Sequence, residues 1–233
     1  MPNGRTARII RKVIKSIGLF IVLLVNGILV WRLCSSGDPA TMKVLTVNEP
    51  LLQAYEIYGD GITLQYQEQT TMTRTEKNYG YFGVTQCVFI PQANQVQIVF
   101  RYNNSTINHL ADDYGLSEIP SKDQTLYDVT LVMTTDRTPE NRDDNLDPDQ
   151  LILTRYQPTS YTRDTTTLYT YYRYVFDGVS VDELTVGVFA DIYYVEDIDY
   201  NAAPYGTLCL YDDESEWLPY KLTSDDKKAL AEK

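Results

Sequence analysis

Residues 184–194 read LTVGVFADIYY, and every second position from Leu184 to Tyr194 is apolar. Leu184, Val186, Val188, Ala190, Ile192 and Tyr194 form one row, and Thr185, Gly187, Phe189, Asp191 and Tyr193 form the other. Successive side chains of a strand point to opposite faces, so the first row reads as the buried face of a β-strand. An amphipathic helix would instead repeat its apolar positions at intervals of three and four.

The same period of two recurs outward along the chain. Leu168, Thr170, Tyr172, Tyr174 and Phe176 stand opposite Tyr169, Tyr171 and Arg173. Val96, Ile98, Phe100 and Tyr102 alternate with Gln97 and Arg101, and Tyr127, Val129, Leu131 and Met133 with Asp128, Thr130 and Thr134. Ile62, Leu64 and Tyr66 begin a further run, and shorter β-rich runs occupy residues 83–90, 151–156 and 207–211. Gly59-Asp60-Gly61, Pro91-Gln92-Ala93-Asn94, Asp177-Gly178 and Ala203-Pro204-Tyr205-Gly206 supply turns between them. About eight closely spaced strands predict an all-β domain, an antiparallel β-sandwich of immunoglobulin-like or jelly-roll-like form. The 20 Tyr, against 6 Phe and 2 Trp, fit the strand preference of aromatic side chains. Glu49–Tyr58 (EPLLQAYEIY) reads as a short helix with Pro50 in its first turn. Residues 108–116 read as a helical crossover, and residues 224–233 as a polar helical tail with Ser224 as N-cap.

Ahead of the strands, residues 17–33 read IGLFIVLLVNGILVWRL, with Asn26 the one polar side chain before Arg32. At 1.5 Å per residue this run reaches about 26 Å, a little short of a ~30 Å hydrocarbon core. Val13 and Ile14 extend it, with Lys15 reaching back to the headgroups. Arg5, Arg8, Arg11, Lys12 and Lys15 precede the run and Arg32 ends it, which places the N-terminus in the cytoplasm. The expected layout is a basic cytoplasmic tail (1–16), a single transmembrane helix (17–33), a tether (34–48), an exported sandwich (49–223) and the helical tail (224–233). The competing reading is a cleaved signal peptide, with Ser35-Ser36-Gly37 ahead of Asp38; Arg32 interrupts the approach to that site. Both readings export the domain.

The formal net charge is −12. Residues 1–33 hold six basic residues and no acid, so the rest holds 14 of the 20 basic residues and all 32 acids, a net of −18. A domain so acidic repels nucleic acid and anionic surfaces.

Four features invite a functional reading. Asp143, Asn145, Asp147 and Asp149 stand at alternate positions in an acidic loop, as Ca²⁺ ligands do; Pro148 and Thr154 replace the Gly and Glu of an EF-hand, so the loop is a weak Ca²⁺ candidate beside the commoner outcome, a solvated charge run. Tyr169, Tyr171 and Arg173 share one face of a strand and, if exposed, would offer rings and a cation to a protein or glycan partner; buried, they would be cross-strand packing. Cys87 and Cys209, both in expected strands of an exported domain, are a disulfide candidate against two free thiols. Acids at Glu196, Asp197 and Asp199, and again at Asp212, Asp213, Glu214 and Glu216, could pair as in a glycosidase. One His, three Cys and the lack of a phosphate-loop or nucleophile-elbow motif exclude most metal and acyl-transfer chemistry. The expectation is therefore a single-pass, membrane-anchored, extracytoplasmic binding module without catalysis or required cofactor. The alternatives are a subunit of a membrane complex and an envelope-polysaccharide hydrolase.

Overall fold

The computed structural model describes residues 4–35, 37–67, 72–74, 81–135, 152–181, 185–212 and 217–232. These fall into two units, Met1–Gly37 and Asp38–Lys233.

The first unit is one helix, α1 (Gly4–Ser35). Its stretch Lys12–Trp31, 20 residues with mean hydropathy 2.4, is long and apolar enough to cross a membrane. The span is longer than the 17–33 run because residues 12–16 belong to the same helix; 20 residues rise about 30 Å. Asn26 Nδ2 donates to the Val22 carbonyl at 2.8 Å. One of its two amide N–H donors is thus used within its own helix.

The second unit begins with α2 (Glu49–Tyr58), matching the expected helix; Asn48 caps it by accepting from Leu51 N, and Pro50 fits its first turn. The strands are β1 (Gln65–Gln67), β2 (Met72–Arg74), β3 (Tyr81–Ile90), β4 (Gln95–Asn103), β5 (Tyr127–Thr135), β6 (Ile152–Tyr156), β7 (Ser160–Thr165), β8 (Tyr169–Asp177), β9 (Thr185–Tyr194), β10 (Gly206–Tyr211) and β11 (Leu218–Pro219). Helix α3 (Thr106–Tyr114) follows β4, and α4 (Ser224–Ala231) follows β11. A seven-stranded sheet runs β11-β1-β3-β4-β8-β7, with β2 also on β3, and a four-stranded sheet runs β10-β9-β5-β6. Every pairing is antiparallel. The domain is therefore mostly β and sandwich-like. Strands β2, β7 and β11 have no apolar alternation to announce them.

The core lies between the two sheets and is built from the rows read in the sequence. Val96, Ile98, Phe100 and Tyr102 on β4 and Tyr172, Tyr174 and Phe176 on β8 face Tyr127, Val129, Leu131 and Met133 on β5 and Val188, Ala190, Ile192 and Tyr194 on β9. Tyr172 and Tyr174 stack at 5.5 Å, and Tyr102 meets Tyr127 edge-on at 4.9 Å. Burying each such ring contributes about 1.5–3 kcal/mol before conformational entropy is subtracted. The β9 row keeps its phase only from Val188 onward. The register shifts between Thr134↔Gly187 and Thr135↔Thr185, so Val186 is an extra residue and Thr185 turns inward. Leu184 lies outside the described residues.

The larger sheet is covered on its outer face as well. Residues 38–48 do not form a free tether: Met42 and Leu45 are buried, Met42 against Val99 and Tyr171 and Leu45 in a cluster with Leu51, Ala54, Val88, Ile90 and Leu230. The C-terminal helix is likewise docked. Its N-cap is Thr223 rather than Ser224, in a reciprocal capping box with Asp226, and Leu230 anchors it in that cluster. Both segments fold down because the outer rows of β3, β4 and β8 combine apolar groups with polar ones that water does not reach.

A β-bulge sets which β3 side chains face outward. Val84 pairs with Phe100 and Gln86 with Val99, so Thr85 is the extra residue. Phe82 and Val84 point into the central core before it, and Cys87 and Phe89 after it. Thr85 and Gln86 therefore both leave the core on the outer face, side by side, which unbroken alternation forbids.

Candidate functional site

The residues singled out in the sequence land in different places. Tyr171 and Arg173 are wholly buried, so the face they share with Tyr169 is not a free docking surface. Met42 packs on Tyr171, and Arg101 lies 4.8 Å over the Tyr169 ring and 6.0 Å from the Tyr171 ring while pairing with Asp38 at 3.7 Å. The face is covered because the chain entering the domain crosses it. Cys87 and Cys209 are both free. Cys87 points into the core between the sheets, whereas Cys209 sits between the inward Leu208 and Leu210 and so faces the opposite side of β10. Alternation, already present in the sequence, separates the two thiols. Burial pushes the Cys87 thiol up to about 12. Asp143, Asn145, Asp147 and Asp149 lie outside the described residues, as do Asp213, Glu214 and Glu216. Glu196, Asp197 and Asp199 are exposed, and Asp199 accepts the backbone N–H of Asn201 at 2.9 Å in a local turn.

The site that sequence reasoning missed is a cleft of about 360 Å³ at the edge of the sandwich. The chain crosses there from β6 in one sheet to β7 in the other, through Gln157 and Pro158. On one side stands Tyr161 of β7, about half exposed (52%), its ring 5.8 Å from both Tyr172 and Tyr174. The ring ladder of the core thus continues out to the surface. On the other side stands Tyr200, held edge-on against Tyr193 at 5.1 Å, its hydroxyl donating to Asp128 Oδ2 at 2.8 Å. Burial, and then the bond to the Asp128 carboxylate, push the Tyr200 hydroxyl up to about 12. Gln157 donates to Thr130 Oγ1 at 3.2 Å, and Tyr174 at the base donates to the Tyr127 carbonyl at 3.1 Å. Ile198 adds an exposed apolar group at the rim. The cleft joins two aromatic walls to a carboxylate and an amide already fixed in orientation. That composition suits recognition of a ligand with one flat apolar face and hydroxyl or amide edges. Among the described residues lining it, Asp128 is the one carboxylate. Tyr161 stands opposite Tyr174 on the core-side face of edge strand β7, but β7 has no alternation to make that position visible in the sequence.

A second recess, of about 520 Å³, lies on the outer face of the larger sheet and includes Met42, Lys43, Thr85, Gln86, Tyr220 and Lys221. Arg173 sits against its wall. Arg173 Nη2 donates to the Met42 carbonyl and, at 2.7 Å, to Gln86 Oε1. Gln86 bonds Tyr220, and the Tyr220 hydroxyl donates to Asp226 Oδ2 at 2.8 Å. Asp226, wholly buried, accepts three further bonds, from Leu45 N at 2.8 Å, Thr223 N at 2.9 Å and Thr223 Oγ1 at 2.7 Å. Burial pushes the Arg173 guanidinium down to about 10, against the pull of Tyr220, Asp226 and Asp38. A neighbouring amide network holds the strap: Gln97 bonds the Thr46 backbone in both directions at 2.8 and 2.9 Å, and Gln95 bonds Asn48 at 2.8 Å and Asp177 at 2.7 Å.

No protein-family model, curated protein or solved structure matches this chain.

Proposed function

We propose that this protein is a single-pass membrane-anchored, non-catalytic binding module. Helix α1 holds it in the membrane with the N-terminus in the cytoplasm, and the sandwich stands outside the cytoplasm at the cell envelope. The finer reading of the fold is a sandwich of the immunoglobulin-like or jelly-roll-like kind, in which edges and end loops present ligands. The ligand-binding element is the Tyr161–Tyr200 cleft, and its partner is a glycan or a protein segment that offers a flat face to the rings.

The observation that carries this reading is the exposed Tyr161 ring, continuous with the core ladder and facing Tyr200, Asp128 and Gln157 across the cleft. Tyr is the residue type that joins a large apolar face to a polar tip with little rotamer freedom to lose. Anchoring by α1 restricts the search to partners beside the bilayer, which raises their effective concentration.

The test uses the full-length chain in nanodiscs. Its tyrosine and tryptophan fluorescence is followed during titration with envelope glycan fragments and with an extended peptide library. Binding that Tyr161→Ala weakens about tenfold or more, with unchanged thermal stability, is the expected result. Binding indifferent to both Tyr161→Ala and Tyr200→Ala would remove the cleft from the account. Hydrolysis of a glycan during the titration would replace the reading with the enzymatic one.

A further inference from the structure

The recess over Arg173 is unlike the rest of this domain in its charge. Residues 34–233 carry a net of −18, yet four of their 14 basic residues, Lys43, Arg101, Arg173 and Lys221, gather in or behind this one recess. The acids there are Asp38, which pairs with Arg101, and Asp226, whose carboxylate is already taken by four hydrogen bonds. Lys43 and Lys221 are exposed at the mouth.

Two buried polar groups lie unspent at the same place. Arg173 Nε and Nη1 are enclosed and find no acceptor among the described residues, and neither does Thr85 Oγ1 on the wall. A guanidinium carries five N–H donors, and leaving any of them desolvated without an acceptor is costly. The β3 bulge aims Thr85 and Gln86 into the recess together, and bulges recur where a side chain is re-aimed at a site. Gln86, Val99 and Arg173 lie in one cross-strand row, so the bulge also brings the Gln86 amide to the guanidinium.

We propose that this recess is a binding site for an oxyanion, specifically a phosphoryl group. The anion enters between Lys43 and Lys221, meets the Gln86 and Thr85 side chains on the wall, and draws on the Arg173 charge behind them. Small rotations of Gln86 and Thr85 open the guanidinium edge to it. Oxyanions are held best by charge-assisted donors of this kind. At physiological salt the repulsion from the acidic remainder is screened beyond about 8 Å, so the local cations decide binding at contact. The phosphoryl group belongs either to a phospholipid headgroup or to a soluble phosphate. The site is separate from the Tyr161–Tyr200 cleft and stands or falls independently of it.

The experiment titrates inorganic phosphate into the full-length chain in phosphatidylcholine nanodiscs and follows Lys43, Gln86 and Tyr220 by NMR. The expected result is a saturable shift at these residues, weakened about tenfold in Lys43→Gln/Lys221→Gln, whose exposed side chains leave the fold intact. Arg173→Lys, which keeps the charge and loses the fork, is expected to weaken it as well. Tyr161→Ala leaves it unchanged. Competition by phosphatidylglycerol vesicles but not phosphatidylcholine vesicles assigns the group to a lipid headgroup; displacement by neither assigns it to a soluble phosphate. No saturable shift up to about 0.1 M phosphate, or one unaltered in the double lysine variant, overturns the site.

Discussion

The two sheets of this domain share a core but differ on their outer faces. The central strands β3, β4 and β8 of the larger sheet are buried on both sides: every residue from Thr170 to Phe176 on β8 is inaccessible. Its outer face is closed by the entering chain, α2 and α4. The smaller sheet has no buried apolar cluster on its outer side among the described residues; Thr130, Val132, Asp191 and Tyr193 of its central strands are buried there, while Leu153 and Arg155 of edge strand β6 stand exposed. A strand with one wet face alternates, whereas a strand buried twice is held by groups on both sides. The larger sheet offsets most of the cost of its buried Gln95, Gln97 and Arg173 with a connected network, and that network fastens residues 38–48 and α4 to it.

The contrast breaks first at Asp226. Asp226→Ala strips four hydrogen bonds and leaves Leu45 N and the Arg173 charge without their counterpart, so a loss of about 3 kcal/mol or more in unfolding free energy is expected by urea denaturation. A loss under about 0.5 kcal/mol would mean that α4 is not integral to the outer face.

Paired truncations sharpen it. Leu51→Ala, on the face of α2 that packs on the larger sheet, is expected to cost about 3 kcal/mol, and Leu153→Ala, 61% exposed on the smaller sheet, under about 0.5 kcal/mol. Equal costs would erase the distinction between the two outer faces.

Alkali separates the shared core from the rest. Burial holds the Cys87 thiol up to about 12, and burial with the Asp128 bond does the same for Tyr200. Both folded-state values exceed the unfolded ones of about 8.5 and 10. The stability they give is complete below those unfolded values and is lost as pH rises toward 12. Tyr114, Tyr172, Tyr174 and Tyr193 are raised by burial in the same sense. Arg173, lowered to about 10, works the other way but is one group against several. The urea midpoint is therefore expected to hold to about pH 8.5 and to fall steadily above pH 10. A midpoint that rises over that range would contradict the buried tyrosine core.

The smallest effect is chemical. In a Cys34→Ala chain, a thiol reagent is expected to label Cys209 on the smaller sheet while Cys87 stays protected until unfolding. Two native labels, or none, would contradict the opposite facing of the two thiols.

The central core is legible in the sequence, because the core-facing rows of β4, β5, β8 and β9 are apolar or aromatic at every second position, with polar residues such as Gln97, Thr130, Arg173 and Asp191 set between them. The apolar span and the Asn48-capped helix are legible for equally local reasons. The outer face is not. Gln97 reads as solvent-facing because a polar residue opposite an apolar row ordinarily is, and the row of Arg173 reads equally as a docking face or as buried packing. What buries them arrives from far along the chain, as the 181-residue separation of Leu45 from Asp226 shows. The bulge at Thr85 is equally hidden, since it changes phase without changing composition. The cleft rests on Tyr161, which belongs to an edge strand too polar to be seen by alternation.

From Asp38 onward the chain is folded onto the larger sheet. Native-state hydrogen exchange of the full-length protein in nanodiscs tests it at two amides, Leu45 N on Asp226 and Thr46 N on Gln97. Both are expected to exchange as slowly as the amides of β4, through global unfolding. Exchange at the rate of an unstructured peptide would show the segment to be a free tether and would contradict it.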